Sequence, residues 1–541
     1  MKLVKTLLLT LAVSLSLVGC TSTGTKTDKI LRIAADNDVA SLDTNVATDG
    51  FSFDVIKTFT EGLLEYDAAG KIQPAAASSY DVSTDGKTYT FHLRTDAVWS
   101  NGDKVTANDF VFSWRRLVDP AKANEYAYMA GAIKIANADK IMANELATDK
   151  LGVVAKDDST LVVTLEESVP YFLQLMTFPV FHPLNEKFVT AQGANYATSP
   201  ATLISNGPFI LTEWTQGTLI TLAKNDKYYG KSKIKLDGIE FHIIKDYQTA
   251  ALEFEKGTLD VVKLSSDLVD RYKTNAAFTQ IKLGYTWYLD PNFTVKELKN
   301  ENLRLAIATG FDKAQIANVI LADGSMVADY IVPAGLATGP DGKDFRATSP
   351  TFLSYDVTKA KAYWEKAKTE LGITALTLDL LVDDAEDTSK VAQFLQSELQ
   401  ANLPGLTITI STTPKKNRLA LMREGTFQIG LTRWGPDYAD PYTYLGDLFT
   451  TGTSYNYGKF SDADYDAIMK TVAPGGNLAT NLPDRWTALK AAEKLLLEQA
   501  AVMPAWQSGE ARLINTKVKG IEYHVVGQAS YRNVVKGYRQ I

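Results

Sequence analysis

The chain has 541 residues, of which 45% are hydrophobic, 22% charged and 10% aromatic, the composition of an ordinary soluble globular protein. That length exceeds what a single hydrophobic core serves, so two or three domains are expected. The formal net charge is −7 and no block of Lys or Arg stands out, which argues against a nucleic-acid partner held through its phosphates.

The first residues, MKLVKTLLLTLAVSLSLVGC, place Lys2 and Lys5 ahead of an apolar run from Leu7 to Val18. That run is short for a membrane span and fits the core of a signal peptide. It ends in Leu17-Val18-Gly19-Cys20, which resembles a bacterial lipobox, where cleavage before the cysteine leaves a diacylglycerol-modified Cys at the new N-terminus. Cys20 is the only cysteine in the chain, so disulfides and Cys-ligated metals are excluded with it. Residues 1–19 are therefore expected to be removed, and residues 20–29, with their polar TSTGTKTDK, to tether the folded body to lipid at the extracytoplasmic face of the cell membrane.

Beyond the tether, short apolar alternations predict strands at ILRIAA from Ile30, TYTFHLR from Thr88 and TLVVTLEE from Thr160. Helical spacing begins at TANDFVFSWRRLVDP, where Thr106 or Asn108 can cap and Phe110, Trp114 and Leu117 share a face. Later helices are longer. DVTKAKAYWEKAKTELG stops at Gly372, DTSKVAQFLQSELQANLPG before Pro404, and DRWTALKAAEKLLLEQAAVMP before Pro504. Strands and helices alternate unevenly with no repeat of fixed period, so the fold class is mixed α/β.

Catalytic signatures are missing. GKS at Gly230 lacks the leading glycine of a phosphate loop, because position 225 is Asn225, and no H-E-x-x-H, G-x-S-x-G or G-x-G-x-x-G occurs. The four histidines, His92, His182, His242 and His524, are far apart, and VDDAED at Val382 lacks the glycine and terminal glutamate of a calcium loop. No enzyme activity, metal or cofactor is expected. One stretch stands out instead: LTRWGPDYADPYTYL, from Leu431 to Leu445, sets Asp437 among aromatics. Such an acid is either a surface turn residue or the seat of a cation brought by a ligand.

The segment from Asp85 to Pro120, DGKTYTFHLRTDAVWSNGDKVTANDFVFSWRRLVDP, resembles the signature of the bacterial extracellular solute-binding proteins of the oligopeptide and dipeptide class. SNGPFILTEW from Ser205, LRLAIATGFDKAQIANVIL from Leu303, the YDVTKAKAYWEKA helix and WGPDYADP follow in family order. The similarity spans nearly everything after the tether. It implies a two-lobe periplasmic-binding-protein-like fold of the large class, with mixed sheets and a hinge. Lobe I would take residues 30–64, 200–289 and 505–541, with an inserted subdomain at 65–199, and lobe II residues 290–504. The chain would cross between lobes near Gly284 to Asp290 and Met503 to Gly509.

The resemblance also implies a function: a monomeric receptor that binds peptides and delivers them to the permease subunits of an ABC importer. Its peptide-binding members carry Trp-x-x-Asp-Tyr, matched here by Trp434, Asp437 and Tyr438. The acid would hold the peptide α-ammonium, while Arg433, Trp434 and Gly435 would offer backbone groups. The loop Ala47 to Gly50 would face the cleft, its acid falling near Thr48 or Asp49, with Gly50 beside it. Tyr126 and Tyr128 lie where relatives place an aromatic wall, and a core role fits them equally. Some relatives carry Arg six residues before the anchoring acid; this chain has Leu431 there. Lys415, Lys416, Arg418 and Arg423 precede the motif, a pattern that a solvated helix face also explains. A family member adapted to an oligosaccharide, metal chelate or haem is the alternative reading, and a lipid-anchored hydrolase a weaker one.

Overall fold

The computed structural model describes residues 29–537; the signal segment, Cys20 and the tether up to residue 28 lie outside the described residues. The protein is a mixed α/β, two-lobe molecule. One hydrogen-bonded sheet runs through both lobes. Its strands are β1 (Ile30–Ala35), β2 (Phe209–Thr215), β3 (Leu219–Lys224), β4 (Gly238–Ile243), β5 (Val261–Lys263), β6 (Phe278–Pro291), β7 (Met326–Val327), β8 (Leu376–Asp383), β9 (Leu406–Thr413), β10 (Ile429–Trp434) and β11 (Met503–Ile514). The spatial order is β9-β8-β10-β6-β11-β5-β1-β4-β3-β2, with β7 attached to β11. A separate antiparallel sheet joins Ala77–Val82, Thr88–Leu93, Thr160–Thr164 and Val153–Asp157.

Two large cores flank the long central strands. Leu31, Phe59, Trp114, Phe172 and Phe241 belong to one, which also takes in the segment around Val518 and Val534. The other holds Leu303, Trp364, Leu395, Tyr465 and Leu497. Side chains of this size contribute about 1.5–3 kcal/mol each when fully buried. The helices that cover the sheet follow the expected stop signals: α1 (Gly50–Phe59), α2 (Ala107–Val118), α3 (Val357–Leu371), α4 (Glu386–Asn402), α5 (Lys415–Glu424), α6 (Tyr442–Phe449) and α7 (Leu482–Glu498). α2 opens on a capping box in which Asp109 accepts the Thr106 backbone N–H at 2.8 Å, and α3 closes on left-handed Gly372.

One expected boundary moves. α7 ends at Glu498, Ala500 takes a φ of +45°, and Pro504 stands inside β11 opposite Tyr288 rather than ending a helix. Ala501, Val502 and Met503 are buried on every side, so their apolar run reads equally well as helix or as strand; the pairing with β6 decides for strand.

β6 and β11 lie side by side, paired from Phe278↔Leu513 to Leu289↔Met503 with a shift between Lys282 and Thr286. Gly284 sits in that shift. A side chain there would strike the Val525 carbonyl and the Pro436 ring, so the absence of a Cβ lets the C-terminal segment and the loop after β10 close over the central strands.

Candidate functional site

β10 pairs with β6 along its whole length, from Ile429↔Pro291 to Trp434↔Thr286. With β8 it pairs only at Ile429 and Gly430. The outer edge from Leu431 to Trp434 therefore has no neighbouring strand among the described residues, and its backbone is free to take one. Gly435 follows, where a Cβ would collide with the Tyr285 ring. The next turn carries Asp437.

That turn is held from below by α6. Thr443 Oγ1 accepts from Trp434 Nε1 at 3.3 Å and from the Asp437 backbone N–H at 3.4 Å. Asp440 accepts from both terminal nitrogens of Arg485, at 2.7 and 2.9 Å, and from the Tyr442 backbone at 2.9 Å. Asp440 and Arg485 are both buried, so the turn rests on a desolvated ion pair.

The Asp437 side chain has different surroundings. It is half-buried, and no described residue hydrogen-bonds or ion-pairs with its carboxylate. Burial pushes its pKa up to about 6. Asp447, further along α6, is pushed up to about 7 by burial, with the charges of Asp437 and Asp440 adding to the effect; a hydrogen bond from the Tyr438 hydroxyl at 3.0 Å opposes it. Tyr126, Tyr128 and Tyr455 lie within reach of the Asp437 charge. Their hydroxyls are raised first by burial and next by its charge. Tyr128 and Tyr455 stay 47% and 43% exposed. A half-buried carboxylate with aromatic neighbours and no cation gains most from an ammonium group.

The other expected residues fall as follows. Tyr126 does reach this site, and its ring meets Phe53 of α1 edge-on at 5.5 Å. Thr48 and Gly50 are exposed beside it. Asp49 caps α1, its carboxylate accepting the Ser52 N–H at 2.8 Å, while its charge still reaches Tyr126. Tyr438 is buried and stacks on Tyr171 at 3.9 Å, so it braces the anchor rather than facing open space. Arg418 is buried 3.6 Å from Asp383. Arg423 and Lys415 are exposed, and the Lys416 side chain lies outside the described ones. Sequence reasoning missed Tyr455, Tyr285, Thr443 and Asp447; only the helical spacing of Thr443 and Asp447 was available as a signal, and it names no ligand.

Two cavities touch segments that carry these residues. A cleft of about 850 Å³ lies between Tyr66–Ile72, Thr279–Lys282, Gly335–Pro340 and Ile521–Val526. Ala439 reaches its wall, but Asp437 stands outside its lining. A smaller cavity of about 270 Å³ starts at Phe51, next to Gly50, and extends to Lys263 and Arg512. Among the described residues no group of His, Cys, Asp and Glu could hold a metal ion, and no helix is long and apolar enough to cross a membrane.

Comparison with known proteins gives the family. Residues 71–456 match the model described as "Bacterial extracellular solute-binding proteins, family 5 Middle". A dipeptide-binding protein of Lactococcus lactis subsp. cremoris is 38% identical over 98% of both chains. Among solved structures, Listeria monocytogenes OppA bound to peptide is 35% identical, with a TM-score of 0.71 over 95% of this chain and 100% of that one. The unliganded open form of the murein tripeptide-binding protein MppA is 27% identical, with a TM-score of 0.81 over 94% and 97%. The chain belongs to the bacterial extracellular solute-binding proteins, family 5.

Proposed function

We propose that this protein is a membrane-anchored receptor that captures extracellular peptides between its lobes and delivers them to the permease subunits of an ABC importer. The observation that carries this reading is Asp437: a half-buried carboxylate that has no partner among the described residues, at the end of a strand edge that has no neighbour among them. An extended peptide added along Leu431–Trp434 would satisfy the edge through its main chain, and its α-ammonium would meet the acid. The relatives named for dipeptides, oligopeptides and murein peptide support the ligand class. The better superposition on an open, unliganded relative than on a peptide-bound one supports reading this conformation as open. Closure about β6 and β11 would then follow from contacts that the ligand makes in the closed state alone.

The test uses protein stripped of ligand by unfolding and refolding. Adding a pool of short peptides should lower the radius of gyration in small-angle scattering, and native mass spectrometry of the same sample should show retained peptides. An unchanged radius with no retained peptide would remove the reading.

The anchor itself should titrate. A bound ammonium favours the ionised Asp437, whose pKa in the ligand-free protein is held up near 6. Peptide affinity should therefore be highest near pH 7, fall as pH drops through 6, approaching tenfold per pH unit, and fall again above about pH 8 as the peptide α-amine loses its proton. The same raised pKa means that the ligand-free protein draws stability from this group below about pH 4 and loses it as pH rises through 6. Calorimetry at pH 5, 6, 7 and 8 checks the binding limb; a flat profile would assign the amine elsewhere.

Attachment rests on Cys20. Lipidation there would place the protein on the extracytoplasmic face of the cell membrane as a monomer facing the importer. Cys20→Ser should abolish palmitate labelling and move the protein to the aqueous phase after detergent partition. Retention in the detergent phase would rule the anchor out.

A further inference from the structure

We propose that the cavity of about 270 Å³ lined in part by Phe51 and Asp54 of α1 is a binding site for a phenolic ring, with Asp54 accepting the hydroxyl proton. The proposal goes beyond the peptide reading and does not depend on it.

One part of the lining is apolar. Ile33, Phe241 and Tyr531 are buried there, and Phe51 and Tyr531 each meet the Phe241 ring edge-on, at 5.5 and 5.9 Å. A further ring packs against such a group in the offset or edge-on arrangements that aromatic pairs favour. The volume lies just below the range of drug-sized pockets, which begins at about 300 Å³, so it suits one ring and a short arm.

The other part is charged, and nearly all of it is paired. Lys263 lies 3.3 Å from Glu510 and 3.9 Å from Asp36. Arg512 pairs with Glu510 and donates to the Tyr523 hydroxyl at 3.3 Å, and the Tyr247 hydroxyl donates to Asp36 at 2.9 Å. Asp54 differs. It accepts the Ala529 backbone N–H at 3.1 Å and makes no ion pair among the described residues. Burial pushes its pKa up to about 6, against the Ala529 bond and the charges of Arg512 and Lys57. His524 lines the same cavity, and its Nε2 is buried with no hydrogen-bond partner among the described residues. Burial holds the His524 pKa down near 4, so its ring is neutral at pH 7.

These groups select the ligand. A plain hydrocarbon ring would cover Asp54 and His524 without satisfying either, which is costly for buried polar atoms. An ammonium is the poorer fit, because the charges of Arg512 and Lys57 already reach Asp54. A hydroxyl donates to a carboxylate and also accepts from an imidazole N–H, and a hydroxyl-to-carboxylate bond is among the strong ones. Carried on an aromatic ring, it meets both parts of the lining. A site that hydrogen-bonds a hydroxyl rejects the analogue lacking it, so phenol should be preferred to phenyl. The ring can come from a tyrosine of a bound peptide or from a free phenol.

Calorimetry on the ligand-stripped chain tests this with two pairs of probes: 4-hydroxyphenylacetamide against phenylacetamide, and tripeptides of alanine carrying Tyr or Phe at each position in turn. Wild type should prefer the hydroxylated member at least tenfold in one pair or both. Preference among the peptides assigns the ring to a tyrosine side chain, and preference for the free amide alone assigns it to a separate small molecule. Asp54→Leu should erase the preference. Ala34→Leu, which fills the cavity from β1 and leaves Asp54 and Ala529 in place, should weaken the hydroxylated probe at least tenfold and covers the case in which Asp54→Leu does not fold. A preference below threefold in both pairs overturns the proposal. So does a preference that survives in Asp54→Leu, or unchanged binding of the hydroxylated probe by Ala34→Leu. Failure of every tripeptide to bind, with the free phenol still preferred, would remove the peptide reading and leave this one standing.

Discussion

Asp437→Asn should weaken peptide binding by roughly 30-fold to several thousandfold. The substitution keeps the size of the side chain and one acceptor but removes the charge. Truncating one partner of a buried, hydrogen-bonded charge pair costs on the order of 2–5 kcal/mol, much of it from stranding the other charge. Among the described residues the carboxylate has no partner, so no neighbouring cation there can substitute. An N-acetylated peptide should suffer a comparable loss against wild type. Applied together the two changes should fall far short of additivity, because each deletes the same interaction. Calorimetry on the four combinations decides the matter. Free peptide binding to Asp437→Asn within about twofold of wild type, below ~0.5 kcal/mol, would make Asp437 an ordinary turn acid.

The second large effect is on stability. Arg485→Leu should destabilise the protein by about 3–5 kcal/mol, since it leaves Asp440 charged and buried with its strongest donors gone. The Nε bond from Arg485 to the Val472 carbonyl, 2.9 Å, is lost as well. Removing both charges with Asp440→Leu in the same chain should recover much of the loss, because a buried ion pair replaced by apolar side chains is often nearly neutral. Urea unfolding followed by tryptophan fluorescence gives the two values. A cost below about 1 kcal/mol for the single change would mean that water reaches the pair. Peptide affinity should fall along with stability in Arg485→Leu, because the same pair holds the turn that carries Asp437.

Different parts of this molecule were legible to different degrees. The helix limits at Thr106 and Gly372 were readable because caps act on neighbours in sequence. The strand alternations at Ile30 and Thr88 were readable because each strand buries one face. Pro504 misled for the opposite reason: Ala501 to Met503 are buried on every side, and local periodicity then carries no direction.

By itself the sequence set Asp437 beside Trp434, Gly435, Pro436 and Tyr438 and left open whether it is a surface turn acid or the seat of a ligand cation. It determined the mixed α/β class in the same local way. What only the tertiary structure decided is what Asp437 faces. Tyr126 and Tyr128 arrive from more than 300 residues away, Tyr455 from beyond α6, and the free edge of β10 exists only because β8 stops pairing at Gly430. The Asp440–Arg485 pair was hidden likewise. Long-range pairing of strands and packing of side chains place these groups, and neither leaves a fixed spacing along the chain.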